Sequence, residues 1–494
     1  MVTMADDKAG SLRVSTGVPG LDETLGGGLL RGAVYIVQGP PGAGKTILAN
    51  QLCFAQAAHG RTALYVSLLA EAHDRLLSYL QPMRFYDPDV VPDRIFYMSA
   101  FPILQKEGPA ALQRLLVEET RRRGATFVVV DGLFVVHDVL GSEPEFRRFV
   151  HEMQGVTSLT QSTLLMLTNQ TRERSSPEYT MVDGWIELLD EIHEARAVRT
   201  LVVHKQRGSA YLRGRHLFHI TDNGVVIFPR LEAAQSREPV QSGGTSRISS
   251  EVEQFDTMLG GGYPAASATL ILGPSGSGKT TFGLQFLAGS TPEAPGLLFG
   301  FYEPPARLVT KARSIGVDLE GLVARGAVQI LWQPIAENLA DELGWRLIDA
   351  VRRTGAKRVV VDGIGGFERA LLFRRRLPTL INAINNKLKV LDATILYLRE
   401  TQELHALEHL HADDLSAKSD NLVLLHYERQ NRVLRRMLSI LKVRDSDFDP
   451  VTEEFHITGQ GIRFGERPPA QGRPAGVANT HATAPGGAAR PARS

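Results

Sequence analysis

Two nearly identical glycine-rich segments constrain this chain more than any other feature of its sequence. The first reads GPPGAGKT from Gly39, and the second reads GPSGSGKT from Gly273. Both fit the pattern G-x-x-x-x-G-K-[ST], whose glycines let successive backbone N–H groups turn towards a phosphate at the positive end of the following helix. Each segment follows an apolar, strand-like run and precedes a helical pattern. The sequence therefore predicts two binding sites for nucleoside triphosphates.

The two segments belong to an internal duplication. Residues 15–46 and 249–280 align without a gap, and the match includes Asp22 with Asp256. Two later segments of the first half also have counterparts in the second half, in the same order. RRGATFVVVDG corresponds to RTGAKRVVVDG, and HKQRGS corresponds to LKVRDS. The 494 residues are enough for two or three domains. The prediction is one domain over residues 11–230, a polar linker over 231–247, a second domain over 248–465, and a disordered Pro/Gly/Ala-rich tail over 466–494.

The hydrophobic pattern predicts the fold class of each half. Short runs such as AVYIVQ, TALYVSL, TFVVVDG and TLLMLTN alternate with amphipathic helical stretches such as PAALQRLLVEETRRRG. Strands this apolar are buried on both faces, which requires helices on both sides of a parallel sheet. We expect an α/β fold in each half, with a mostly parallel central sheet flanked by helices.

Composition excludes several classes of function. The 55 basic and 54 acidic side chains nearly cancel, which argues against a nucleic-acid partner. The single cysteine, Cys53, excludes an intramolecular disulfide and a cysteine-based zinc site. The N-terminal residues lack the apolar core of a signal peptide, and no window approaches the roughly 18 apolar residues of a membrane span. We expect a cytoplasmic protein without a membrane partner.

The two glycine-rich loops supply the candidate ligands of ATP, the first predicted cofactor. Lys45 and Lys279 are expected to reach the β- and γ-phosphates. The backbone of the surrounding residues is expected to hold the phosphates: Gly39, Gly42, Ala43 and Gly44 in the first loop, and Gly273, Gly276, Ser277, Gly278 and Thr281 in the second.

Mg²⁺ is the second predicted cofactor. The hydroxyls of Thr46 and Thr280 are the expected direct ligands. Asp131 and Asp362 each end a buried-strand run, where a carboxylate beside the phosphate loop binds Mg²⁺ or its water. An aspartate that only begins a turn is the alternative interpretation.

The motifs together resemble a known family. The opening STGVPGLDETLGGGLLRGAVYIVQGPPGAGKT and the closing RTLVVHKQRGSAYLRGRHLFHITDNGVVIFP are similar to the two ends of KaiC-type domains, within the RecA/DnaB-like P-loop ATPases. The resemblance covers both halves and implies ATPase activity in a homo-oligomeric ring, usually a hexamer, with ATP between neighbouring subunits. It also implies that two K-x-R pairs reach the γ-phosphate of the adjacent subunit: Lys205 with Arg207, and Lys442 with Arg444. A solvated strand face is the alternative for such pairs.

The two halves differ at the position where this family has a Glu-Glu pair that orients or deprotonates the attacking water. The second half has Tyr302 and Glu303 there, so only the second carboxylate of the pair remains, whereas the resemblance implies that the first usually acts as the base. The first half has Leu69 and Ala70, and Glu71 could substitute only if the strand end shifts by one residue. We therefore predict weak or absent hydrolysis in the first domain and slow hydrolysis, with Glu303 as the catalytic carboxylate, in the second.

Two further features leave their role open. The resemblance aligns Ser416 with one member of a Ser-Thr phosphoacceptor pair, and Ala417 replaces the other, so serine autophosphorylation is a candidate activity. A serine in a loop before a strand is the alternative, and Ser419 also lies close. The run Arg374–Arg376 has no assigned place; an interface, the ring interior and nucleic acid are the alternatives.

Three functions are compatible with the sequence. The leading one is a KaiC-like ATPase that acts in signalling or timing, with itself and signalling proteins as partners. The second is a DNA-acting ATPase of the RecA or RadA kind, although the first residues contain no cysteines for a RadA-type zinc finger. The third is a scaffold that ATP assembles and that does not turn ATP over.

Overall fold

The computed structural model describes residues 12–69, 73–169, 177–234, 246–334, 338–401, 419–430, 432–444 and 446–465. The strands of the first half are β1 Arg13–Val14, β2 Leu29–Leu30, β3 Val34–Gln38, β4 Ala63–Ser67, β5 Ile95–Ser99, β6 Phe127–Asp131, β7 Thr163–Thr168, β8 Gly184–His193, β9 Arg196–Gln206, β10 Arg215–Thr221 and β11 Gly224–Phe228.

The second half repeats the same series of strands. They are β12 Arg247–Ile248, β13 Tyr263–Pro264, β14 Ala268–Gly273, β15 Gly296–Gly300, β16 Val328–Trp332, β17 Arg358–Asp362, β18 Thr394–Glu400, β19 Asn421–Gln430, β20 Val433–Val443, β21 Glu453–Thr458 and β22 Gly461–Phe464.

Helices alternate with the strands in both halves. In the first half they are α1 Leu21–Thr24, α2 Lys45–Ala58, α3 His73–Leu80, α4 Phe101–Glu107, α5 Pro109–Arg123, α6 Leu133–Leu140, α7 Glu143–Thr160 and α8 Pro177–Met181. In the second they are α9 Glu253–Met258, α10 Lys279–Ala288, α11 Pro305–Ser314, α12 Leu319–Ala324, α13 Ala340–Thr354, α14 Gly365–Ala370 and α15 Leu377–Val390. Short 3₁₀ turns cover Pro88–Val90 and Arg374–Arg376.

Each half builds one nine-stranded sheet, and the two sheets have the same order. The first runs β11-β10-β9-β8-β3-β7-β6-β4-β5, and the second runs β16-β15-β17-β18-β14-β19-β20-β21-β22. Six strands of each sheet are parallel, and the remaining three extend one side as an antiparallel series. The predicted mostly parallel α/β fold, twice in tandem, is confirmed.

Side-chain alternation along the central strand explains the three layers. On β3, Tyr35 and Val37 face the core beneath α2, whereas Val34 and Ile36 face the core beneath α5 and α7. In the second half, Ile271 of β14 packs under α10, and the neighbouring leucines of the strand face the helices α13 and α15. A strand in this position is apolar at every residue because both faces are covered.

A partly buried carboxylate organises the segment that precedes each glycine-rich loop. Asp22 accepts hydrogen bonds from Ser15 Oγ at 2.7 Å, Thr16 N at 2.9 Å and Thr16 Oγ1 at 2.6 Å. Asp256 accepts the equivalent bonds from Ser249 Oγ and Ser250 N, both at 2.7 Å. The aspartate that both halves share therefore closes a loop onto the first turn of α1 and α9.

Within the described ranges, none of the helices has both the length and the apolar character needed to cross a membrane. The predicted tail over residues 466–494 and most of the predicted linker, residues 235–245, lie outside the described residues.

Replacing Asp22 by alanine is expected to destabilise the first domain by about 2 kcal/mol, because three donors lose a charged acceptor. For a domain of this size, the melting temperature should fall by about 4–8 °C. Differential scanning calorimetry measures this change, with Asp93→Ala as the control because Asp93 is exposed. Equal shifts in the two variants would contradict the assigned role of Asp22.

Candidate nucleotide sites

The first loop turns sharply between β3 and α2. Gly42 and Gly44 have φ angles of 82° and 97°, in the left-handed region that residues with a side chain avoid. Lys45 Nζ donates to the carbonyl oxygens of Gly39 at 2.7 Å and Pro40 at 2.9 Å. Burial lowers the pKa of Lys45, and the charge of Asp131 opposes this effect. The ammonium group thus lies inside the curve of the loop.

The second loop repeats this geometry between β14 and α10. The φ angles are 76° at Gly276 and 108° at Gly278. Lys279 Nζ donates to Gly273 O at 2.9 Å and to Pro274 O at 2.7 Å. Burial lowers the pKa of Lys279, and nearby carboxylates oppose the shift. The loop residues Ala43, Ser277 and Thr281 are buried.

Both loops also run close to a neighbouring strand, and this restricts their first residue to glycine. A Cβ added to Gly39 would lie 2.3 Å from the carbonyl oxygen of Leu188 in β8. At Gly273 the equivalent distance, to Leu425 O in β19, is 2.7 Å. A loop of this geometry at a helix N-terminus, with a lysine inside it, fits a nucleotide triphosphate group.

The predicted magnesium ligands of the first domain lie together. Thr46 Oγ1, in the first turn of α2, donates to Asp131 Oδ2, at the end of β6, at 3.3 Å. The hydroxyl of Tyr65, in β4, donates to the same carboxylate oxygen at 2.6 Å. A hydroxyl and a carboxylate next to a phosphate loop form a donor set that suits Mg²⁺.

Thr280 and Asp362 lie together in the same way in the second domain. Burial raises the pKa of the Asp362 carboxyl, while the hydrogen bond with Thr280 and the charge of Lys311 lower it. In the parallel pairing, Ser67 of β4 lies opposite Asp131, and Gly300 of β15 lies opposite Asp362. Two residues before these positions, β4 has Tyr65 and β15 has Leu298. Asp362 therefore lacks the tyrosine contact that holds Asp131.

A cavity of about 1190 Å³ opens at the second loop. Its charged lining includes Lys279, Glu303, Lys311, Asp362, Glu368, Arg369, Arg374, Arg399 and Glu400. Glu303 Oε1 accepts from Lys311 Nζ, on α11, at 2.8 Å. The predicted catalytic carboxylate thus faces the same cavity as the loop lysine and the predicted magnesium ligands.

The residues after β4 and β15 correspond in three dimensions as well as in sequence. A Cβ on Gly132, which follows Asp131, would lie 3.0 Å from Leu69 Cδ2. A Cβ on Gly363, which follows Asp362, would lie 2.2 Å from the ring of Tyr302. Leu69 and Tyr302 therefore cover the same place beside the two aspartates. Glu71 and Ala70 lie outside the described residues.

The K-x-R pairs lie at the ends of β9 and β20. Lys205 Nζ donates to Thr180 O at 2.6 Å, and Lys442 Nζ donates to Ser419 O at 2.7 Å. Arg207 and Arg444 follow one residue after the strands, with side chains 54% and 66% exposed. The described residues lining the cavity at the second loop do not include Lys442 or Arg444.

Two residues of these sites carry no sequence signal. Tyr65 reads as one more apolar residue of a buried strand, yet its hydroxyl holds Asp131. In the sequence, Lys311 is an ordinary polar residue of a helical segment. In the structure it forms an ion pair with Glu303, which lies in the turn between β15 and α11. The candidate phosphoacceptor Ser416 lies outside the described residues.

The sheet order and the paired loops define a protein with two tandem RecA-like P-loop domains. The model of the KaiC ATPase family matches the chain twice, over residues 14–232 and 248–468, and the chain belongs to this family.

Curated relatives match over most of the chain. It is 25% identical to the circadian clock oscillator protein KaiC of Picosynechococcus sp., over 92% of this chain and 89% of the relative. It is 24% identical to the circadian clock oscillator protein KaiC 1 of Synechocystis sp., with the same coverage, and 24% identical to the circadian clock protein KaiC3 of that organism, over 92% of both. The chain is therefore similar to these proteins along both domains.

Replacing Gly44 by alanine is expected to weaken nucleotide binding in the first domain about tenfold or more. A side chain at a φ of 97° costs about 1–3 kcal/mol, and 1.4 kcal/mol corresponds to a factor of ten. Titration of a fluorescent ATP analogue measures the affinity in a Lys279→Ala background. Gly155→Ala is the control, since a Cβ there meets open space. Unchanged affinity in Gly44→Ala would contradict the loop's assigned role.

Proposed function

We propose that this chain is an ATPase that binds Mg-ATP in both domains and hydrolyses it slowly in the second. The observation that carries the proposal is the placement of Glu303 on the cavity that Lys279, Thr280 and Asp362 also line. In the first domain, the sequence has Ala70 where the second has Glu303, and Leu69 lies where Tyr302 lies in the second. The first domain then holds ATP with little or no turnover.

Each site residue has a defined task in this proposal. The loop backbone and Lys279 bind the β- and γ-phosphates, and Thr280 with Asp362 would hold Mg²⁺. The metal, when bound, neutralises charge on the phosphate oxygens. Glu303 orients the attacking water and accepts its proton.

The ion pair between Glu303 and Lys311 supports slow turnover. Lys311 Nζ occupies one oxygen of the carboxylate at 2.8 Å. Glu303 must therefore exchange this contact, or share the carboxylate, before it can orient water. The neighbouring Tyr302 is not a carboxylate and cannot take over as the base at neutral pH.

A homo-oligomeric ring, expected to be a hexamer, is part of the proposal. Arg207 and Arg444 are exposed at strand ends, and Lys442 and Arg444 are not among the described residues that line the cavity of their own domain. Such cations are suited to reach a nucleotide bound by a neighbouring subunit, where they would neutralise the γ-phosphate. The relatives named as circadian clock proteins suggest a role in timing or signalling, with protein partners of that kind.

Replacing Glu303 by glutamine is expected to lower ATP turnover by about 10²- to 10³-fold and to leave ATP binding intact, because the amide cannot accept a proton. Phosphate release and nucleotide affinity measure the two effects. Glu293→Gln is the matched control, since Glu293 is exposed before β15. Turnover in Glu303→Gln equal to that of the control would show that Glu303 is not the catalytic carboxylate.

Autophosphorylation remains a prediction from the sequence, with Ser416 as the candidate acceptor. Ser419 is the poorer acceptor, since only 5% of it is exposed and its carbonyl accepts from Lys442. Mass spectrometry after incubation with Mg-ATP is expected to find phosphate on Ser416. An unmodified Ser416 would contradict this activity.

A further inference from the structure

Three consecutive arginines form a 3₁₀ turn between α14 and α15, and they point to different surroundings. Arg374 lines the cavity at the second phosphate loop. Arg376 forms ion pairs with Glu232 and Asp341. Arg375, between them, is exposed and is not among the residues that line the cavity. One short turn therefore contacts both the cavity and the region where the two domains join.

Arg376 fixes the turn to the segment that directly follows the first domain. Its Nε and Nη2 donate to the two carboxylate oxygens of Glu232 at 3.0 and 2.7 Å, a bidentate pair. Nη2 also donates to Asp341 Oδ1 at 3.0 Å, and that oxygen accepts from the backbone N of Leu231 at 3.1 Å. Burial alone would lower the pKa of Arg376, but its carboxylate partners raise it, so the guanidinium stays charged. Such paired, hydrogen-bonded arginines hold a fixed geometry.

Further contacts join the two domains around this turn. Trp345 Nε1, on α13, donates to Pro229 O at 2.7 Å. Leu372, two residues before Arg374, packs against the apolar cluster formed by Val198, Leu217 and Leu339 from both domains. The turn is therefore held on both of its sides by contacts with the first domain.

The fold does not require arginine in this turn. The same number of residues separates Asp131 from the start of β7 and Asp362 from the start of β18. The equivalent of the arginine turn in the first domain is therefore Glu143–Glu145, at the start of α7. Acidic residues there suit a helix N-terminus, whereas in the second domain Arg374 lines a cavity that the phosphate loop also lines.

The charges of the cavity leave Arg374 available for a ligand. Lys311 pairs with Glu303, Arg399 pairs with Glu368, and Arg369 lies over the ring of Tyr302. Among the described residues, none forms an ion pair with Arg374. A guanidinium with free donors on the wall of a phosphate site is suited to bind phosphate oxygens.

We propose that Arg374 binds the phosphates of the nucleotide in the second domain and that Arg376 is a positioning residue, which holds Arg374 in place by fastening the turn to Glu232 and Asp341. The inference rests on the proposed function, because it requires ATP in the second domain. It makes the second site depend on the junction with the first domain.

The test uses the full chain with Lys45→Ala, so that only the second site binds tightly, and measures affinities for ATP and ADP with Mg²⁺. Arg374→Ala is expected to weaken ATP binding about tenfold or more and ADP binding less, since it removes a phosphate contact. Arg375→Ala is the matched control and should stay within about twofold. Arg376→Ala should also lower the preference for ATP over ADP. Arg376→Lys keeps the positive charge but cannot form the bidentate pair with a carboxylate, so it should restore part of that preference.

The double variant Arg374→Ala/Arg376→Ala separates positioning from a general structural effect. If Arg376 acts through Arg374, adding Arg376→Ala to the Arg374→Ala protein causes no further loss of the preference for ATP over ADP. An unchanged ratio of ATP to ADP affinity in Arg374→Ala would overturn the inference while the proposed function stands. A full additional loss in the double variant would overturn the role of Arg376. Absence of nucleotide binding in Lys45→Ala itself would contradict both the inference and the proposed function.

Discussion

The backbone of the loop between the central strand and the next helix is the constraint on which each nucleotide site depends. Gly42, Gly44 and their counterparts adopt positive φ angles, and Gly39 approaches a strand carbonyl too closely for any side chain. These conditions direct the loop N–H groups inward and place the lysine within the curve. The rest of each domain then supplies an aspartate from another strand of the sheet, and the second domain adds the Glu303 carboxylate at the cavity.

The two domains satisfy this constraint equally and differ in what surrounds it. In the first, the Tyr65 hydroxyl donates to Asp131, and the apolar side chain of Leu69 lies against the glycine that follows this aspartate. In the second, Tyr302, Glu303 and Lys311 surround Asp362, and the cavity carries many charges. A site of the first kind is suited to holding nucleotide, and a site of the second kind offers groups that can act on water.

The sequence was sufficient for those features that depend on local pattern. Glycine spacing predicted both loops, and the apolar runs predicted the parallel strands that end at Asp131 and Asp362. It could not predict contacts between residues that are distant in sequence and have ordinary local surroundings. Arg376 meets Glu232, 144 positions away, and this pairing has no periodicity to reveal it. Lys311 and Tyr65 likewise acquire their roles only from the way that strands and helices pack.

Native mass spectrometry of Lys45→Ala and Lys279→Ala after incubation with Mg-ATP tests most directly whether the two sites bind alike and act differently. We expect one retained nucleotide for each subunit in both proteins. In Lys279→Ala, where only the first domain is loaded, the nucleotide should remain ATP; in Lys45→Ala it should convert slowly to ADP. Conversion to ADP in Lys279→Ala, with ATP persisting in Lys45→Ala, would contradict the account.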